Sequence, residues 1–494
     1  LIAGYEPRSQ VTDHNAIDLD QQLMETQLAL GTTQSYETAK NIYTSGSHSK
    51  SIATMTLNTG LINAIESGKV VSGVSASGTE INGKTTQAYP AGSTSISIQY
   101  QTLPIQSAYV GCQVGASPSP NTDGCFTATG TLTIEGEGSF TYAYDPLSDN
   151  NNGRTLQGFS TAGKEKMHDC PNCPYVTYEK FYQYYGAFDY ANQWVLAAFN
   201  GQPTNFANGN ANFRQYEITG RTEAIKKGTA YMNVWMYVIR EMEDALDDCQ
   251  EGCTIENCND DPVHAWDEAV AFYSGSLEGK DGSGEGVLLH QLADKRCANF
   301  KTCGDLADET SGLSHVNIEI FRQFNDGLRK INQGECSVAR ANKERIEQMM
   351  AVPMVQGALR YAYITDKEVN AGEKAEAEGA VFAASVLPLV HACDEDAAQT
   401  IYNNLKVGQA GSANFAQVKQ AFESTYSCMN IRCEDVGGLY DSALGQYMDG
   451  AAPCGSTSGS ERNVGLIAGL SVGGIVLVGL GIVLWNRSRT GKEY

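Results

Sequence analysis

The sequence predicts a mainly α protein: two related, bundle-like helical halves, a β-rich insertion in the first, and one transmembrane helix near the C-terminus. Three observations predict it. Most long stretches repeat apolar residues at three- and four-residue spacing, the helical period. Between about residues 57 and 160 Gly, Ser and Thr rise, and period-two runs appear: KVVSGVSASGTEI, TSISIQYQTL, TATGTLTIEGEGSFTYAY. Val464 to Trp485, VGLIAGLSVGGIVLVGLGIVLW, holds 22 residues without a charge. That length crosses a ~30 Å hydrocarbon core as a helix.

The first half opens over 1–56 with IDLDQQLMETQLALG and YETAKNIYTSG. The β-rich insertion follows over 57–160, with Cys112 and Cys125 expected to pair across one of its loops. The first half resumes over 161–255 with YEKFYQYYGAFDYANQWVLAAF and TEAIKKGTAYMNVWMYVIREMEDALDD. Cys249, Cys253 and Cys258, in DDCQEGCTIENCNDD, read as a disulfide-stapled linker. The second half, 256–454, runs from HAWDEAVAFYSG through KERIEQMMAVPMVQGALRYAYITD to EKAEAEGAVFAASVLPLVHAC and two shorter helices. A Gly/Ser stalk spans 455–463, the membrane helix 464–485 and a tail 486–494. Arg487, Arg489 and Lys492 mark the tail as cytoplasmic, so the bulk of the chain faces outward at the plasma membrane. Gly465, Gly469 and Gly473 are spaced four apart, a contact face for a homodimer.

An internal repeat supports two halves. Tyr36 to Tyr43 lines up with Trp266 to Tyr273, and each octet precedes a Ser/Gly-rich turn. Glu223 to Ile239 likewise matches Glu344 to Arg360 in pattern.

The chain starts at Leu1 without a basic or long apolar leader, as after removal of a signal peptide. Its 14 cysteines, an even number in an oxidising setting, then read as disulfides. Cys170-Pro-Asn-Cys173 also admits zinc or redox chemistry. A net charge of −23 disfavours nucleic acid and anionic lipid as partners. No nucleophile, P-loop or dinucleotide motif is present, and 7 His leave few members for a triad or a His-based zinc site. The chain does not read as an enzyme.

Tyrosine stands out, 25 against 15 Phe. Phenolates and carboxylates are hard oxygen ligands and suit hard cations, ferric iron above all. The repeated pairs Glu37/Tyr43 and Asp267/Tyr273 are the first candidates. Their six-residue spacing puts the side chains about 120° apart on a helix, within reach of one site at its C-terminal end. The following turn, Ser274, Gly275 and Ser276, offers N–H groups and hydroxyls for a small anion. His48 follows the first such turn, and His264, which precedes the second repeat, reads as a surface residue. Glu378 opens an apolar helix and can point inward. Arg360 lies on an otherwise apolar helix and needs an anion or acid as partner.

HAWDEAVAFYSGSLEGKDGSG, LLHQLADKRCANFKTC, SHVNIEIFRQFNDG, MMAVPMVQGALRYAY and EAEGAVFAASVLPLV resemble the algal Fea1-type iron-assimilation domain. With the β-containing N-terminal part and the membrane helix, the chain resembles the diatom phytotransferrins. The resemblance covers about 262–455. It implies capture of Fe(3+) at the cell surface with carbonate as co-anion, internalisation with partner membrane proteins, and release on acidification in endosomes. The competing expectation is a structural or adhesive surface protein without metal.

Overall fold

The computed structural model of the chain describes residues 1–9, 11–46, 50–100, 125–146, 149–152, 154–254, 261–369, 371–409 and 413–455. The expected membrane span, tail and glycine face, His48, Cys112 and Cys258 lie outside the described residues. Among those described, no helix is long and apolar enough to cross a membrane.

Helices α1 (Thr12–Asn15), α2 (Ile17–Ala29) and α3 (Thr33–Ser45) precede the strands, and α4 (Leu156–Thr161), α5 (Gly163–Met167), α6 (Val176–Tyr185) and α7 (Tyr190–Asn200) follow them. Helix α8 (Ile218–Gly228) continues through a π-helical segment, Thr229–Val234, into α9 (Trp235–Glu251). The second run is α10 (Pro262–Ser274), α11 (Leu289–Phe300), α12 (His315–Asn332), α13 (Cys336–Lys367) and α14 (Gly372–His391). Helices α15 (Glu395–Leu405), α16 (Phe415–Thr425) and α17 (Cys433–Val436) close it.

Local chemistry sets the starts. Asp261 accepts from the N–H groups of Val263 and His264, with Pro262 as first residue of α10. Ser314 caps α12 and Thr32 forms a capping box with Ser35 on α3. Helix α13 packs between α12 and α14, α14 against α8, and α9 against α10. The two runs therefore share one core, with Trp194, Trp235 and Trp266 fully buried in it.

The strands are β1 (Lys50–Leu57), β2 (Val70–Val74), β3 (Glu80–Thr85), β4 (Ser95–Tyr100), β5 (Thr129–Ile134), β6 (Gly138–Ala143) and β7 (Asn150–Asn152). They begin seven residues before the expected start at 57. All pairings are antiparallel, in the order β4-β3-β2-β5-β6-β1, and β1 also pairs with β4, so six strands close a barrel. Closure removes the free edges an open sheet would expose. Strand β7 pairs with the start of β1, Lys50 opposite Asn152. Ala53, Met55 and Leu57 point inward at period two and join Ile96, Ile98, Leu132 and Phe140 in a core separate from the helical one.

Cys170–Cys173 is a disulfide, so its sulfurs are not zinc ligands here. Cys249 pairs with Cys336 across 87 residues, rather than within a local staple. Cys297–Cys303, Cys393–Cys428 and Cys433–Cys454 complete the described pairs, and Cys125 and Cys253 are also disulfide-bonded.

Candidate metal and anion sites

The repeat tyrosines are core residues. Tyr43 donates to Asn192 Oδ1 (3.2 Å) and Tyr273 to Asn317 Oδ1 (2.5 Å), and both are 0% exposed. Burial raises both phenols above their ordinary value. Glu37 faces solvent on α3, so it does not meet the buried Tyr43. Asp267 does not reach Tyr273 either. Its carboxylate accepts from Tyr5 Oη (2.6 Å), Ser9 Oγ (2.8 Å) and the N–H groups of Arg8 (2.7 Å) and Ser9 (2.8 Å). Four donors saturate it, and it anchors the N-terminal segment to α10.

The Ser274–Gly275–Ser276 turn does hold an anion, and the anion is the chain's own. Asp18 of α2 accepts from Ser276 Oγ (2.7 Å) and Leu277 N–H (2.7 Å). Gly275 sits at φ 80°, where a Cβ would come 2.4 Å from Asp18 Oδ2. Burial pushes the Asp18 carboxyl up to about 6, against the pull of those hydrogen bonds. The turn therefore has no room for a free anion, and Gly275 and Ser276 are corrected to an internal clamp, while the buried Ser274 hydroxyl does not bond Asp18.

Glu378 and Arg360 come together elsewhere, with residues the sequence reading missed. Glu378 of α14 lies 3.4 Å from Lys227 Nζ, and Lys227 also pairs with Glu223 (2.5 Å) on α8. Tyr231 of the π-helical segment and Tyr361 of α13 both stack with Phe382, at 5.4 and 5.9 Å between ring centroids. Arg296 of α11 has its guanidinium carbon 6.0 Å from the Tyr361 and Phe382 rings, and that of Arg360 is 5.1 Å from Tyr361. Arg296 is only 9% exposed, and its Nε and Nη1 have no hydrogen-bond partner among the described residues. Burial pulls its pKa down, and the facing charge of Arg360 adds to that. Burial raises both phenols. The nearby Glu378 adds to the rise at Tyr361, while Lys227 and Arg296 oppose it at both. Burial would lower the Lys227 ammonium, but Glu378 and Glu223 outweigh it and hold it well above its ordinary value. The cluster thus joins two phenols, two carboxylates and three cations in a chain of net charge −23. Arg296 had a sequence signal: it stands at helical period among Leu289, Leu292, Ala293, Cys297 and Phe300.

A second cluster lies at the N-terminal edge of α10. His14 Nε2 is 2.5 Å and His264 Nε2 is 3.1 Å from Glu268 Oε1, and all three residues are buried. His264, expected at the surface, is 9% exposed. Burial would raise the Glu268 carboxyl, but the charges and hydrogen bonds of His14 and His264 hold it well below the usual range. Glu241 of α9 stands near, pushed up to about 8 by burial and by Glu268, with Arg240 opposing.

No protein family, curated protein or solved structure matches this chain.

Proposed function

We propose that the chain is a cell-surface receptor that captures ferric iron together with a small oxyanion of the carbonate type. The observation that carries this reading is the buried Arg296 guanidinium, which has two nitrogens without a hydrogen-bond partner among the described residues and lies within charge range of Tyr361, Glu378 and Tyr231. A buried fork of donors without an acceptor is costly, and a planar oxyanion satisfies it bidentately. Two phenolates and a carboxylate are hard ligands for a hard cation. In this reading Glu378 leaves Lys227 for the metal, and Lys227 joins Arg296 on the anion. The iron ligands then move from Tyr43 and Tyr273 to Tyr231 and Tyr361, while Glu378 and Arg360 stay at the site. The membrane span, internalisation through partner membrane proteins and acid release belong to the same reading. So does descent of the two helical halves from one unit, which the matched Tyr43–Asn192 and Tyr273–Asn317 bonds favour.

The test is an Fe(III) titration at neutral pH, followed by visible absorbance, with and without bicarbonate. A tyrosinate-to-iron charge-transfer band that needs bicarbonate supports the reading. Arg296→Lys keeps the charge but loses the fork, and weakens iron binding by about tenfold or more. A wild-type chain that binds no iron returns the protein to the structural or adhesive class.

A further inference from the structure

We propose that His14, His264 and Glu268 form a second, separate site, for one divalent cation of the zinc class, which clamps the N-terminal segment onto α10. One ligand atom from each residue lies within 4.8 Å of the other two. A zinc ion holds nitrogen at about 2.0–2.1 Å and carboxylate oxygen at about 2.0–2.2 Å, so modest side-chain shifts accommodate it. Two imidazoles and one carboxylate are borderline ligands and select a zinc-like ion over a hard trivalent one. With three protein ligands, a fourth position stays open, as in zinc sites that also hold water.

The hydrogen bonds around the site orient the ligands. Ser9 Oγ has one proton, and it goes to Asp267 Oδ2 at 2.8 Å. Asp267 also accepts from Tyr5 Oη and two backbone N–H groups. Ser9 Oγ therefore accepts from His264 Nδ1–H at 2.9 Å. That fixes the proton on Nδ1 and turns Nε2 toward Glu268, the arrangement that metal-bound histidines show. His264 and Glu268 stand one helical turn apart on α10. His14 comes from α1, three residues before the start of α2. An ion here links α1 to α10 on the same face where Asp267 holds Tyr5, Arg8 and Ser9. Arg240 already pairs with Glu241 (2.5 Å) and Asp244 (2.9 Å), so those acids have their own counter-charge.

The experiment uses the purified full chain, stripped with a chelator and titrated with Co(II) and Zn(II). The expected result is one equivalent of Co(II) with visible d–d absorption, displaced by Zn(II). His264→Gln and His14→Gln abolish the absorption. Ser9→Ala keeps all three ligands but frees His264 Nδ1, and weakens Zn(II) binding about 10–100-fold. Tyr361→Phe, at the proposed iron site, leaves Co(II) binding unchanged. Amide exchange of residues 1–9 slows when Zn(II) is added to the wild type. A wild-type chain that takes up no Co(II), or absorption that survives both histidine substitutions, overturns the proposal. So does metal binding that leaves exchange of the N-terminal segment unchanged.

Discussion

Two phenols that burial holds protonated must each lose a proton to bind a metal. Tyr231 and Tyr361 are both in that state, the first at 9% exposure. Iron bound by both would displace two protons from the phenols, so at fixed carbonate concentration affinity falls about a hundredfold for each unit of acidification. A plot of log affinity against pH therefore has a slope near two, and Tyr361→Phe lowers it to near one. A slope that Tyr361→Phe leaves unchanged excludes this phenol as a ligand. Asp18 gives a different pH response. Its folded carboxyl is raised from 3.8 to about 6, so the folded state holds the proton more tightly than the unfolded one. The stabilisation is complete below the unfolded value and is lost as pH rises through about 6. Asp18→Asn keeps an acceptor for Leu277 N–H and cannot ionise. Thermal melts of the two proteins across this window are expected to diverge, the wild type losing Tm as pH rises relative to the variant. Parallel curves would remove Asp18 as the titrating group.

At the level of elements, the chain's punctuation explains where helices begin but not how they are tied. Pro262 after Asp261, Ser314 before His315 and Asp394 before Glu395 are start signals visible in sequence, and each caps a helix. The Cys249–Cys336 bond was not legible, because it joins the C-terminal end of α9 to the first residue of α13. Only the fold brings those ends together, and nearer cysteines compete for the same sulfur in any reading by spacing. A cross-link closing a loop of 87 residues removes much unfolded-state entropy. Replacing Cys249 and Cys336 together by Ser is expected to lower unfolding stability by about 2–5 kcal/mol, read as the drop in urea midpoint. The same limit governed the sites. The Ser274–Gly275–Ser276 turn was readable as an anion cradle, but its occupant, Asp18, lies 256 residues upstream of Ser274. Arg360 and Glu378 were readable as polar residues on apolar helices that need partners. Lys227, Tyr231 and Arg296 come from two other helical segments, and sequence spacing does not bring them near.

At the scale of the molecule, the described residues form two apolar cores, one helical and one inside the barrel. Alternation at period two marked β2 to β6 in sequence but not β1, which falls in the stretch read as helical, and closure of β1 on β4 depends on shear and tilt that alternation does not encode. The cores' separation makes the barrel removable. Lys50 and Asn152 are register partners where the chain enters and leaves it, and antiparallel partners have Cα atoms about 4.5–5.5 Å apart. A short Gly/Ser linker in place of residues 50–152 therefore spans the gap without strain. None of Glu223, Lys227, Tyr231, Arg296, Tyr361 and Glu378 lies in that segment, nor does His14, His264 or Glu268. The excised protein is expected to fold, to keep the helical circular dichroism of the parent, and to bind ferric iron within about twofold of its affinity, since distant sites contribute independently. If iron binding requires the barrel while the helices stay folded, the metal site is not the helical cluster. If the helices themselves collapse, the two cores are coupled through the connections at Gly46 and Arg154, and the barrel supports the fold of the helical core.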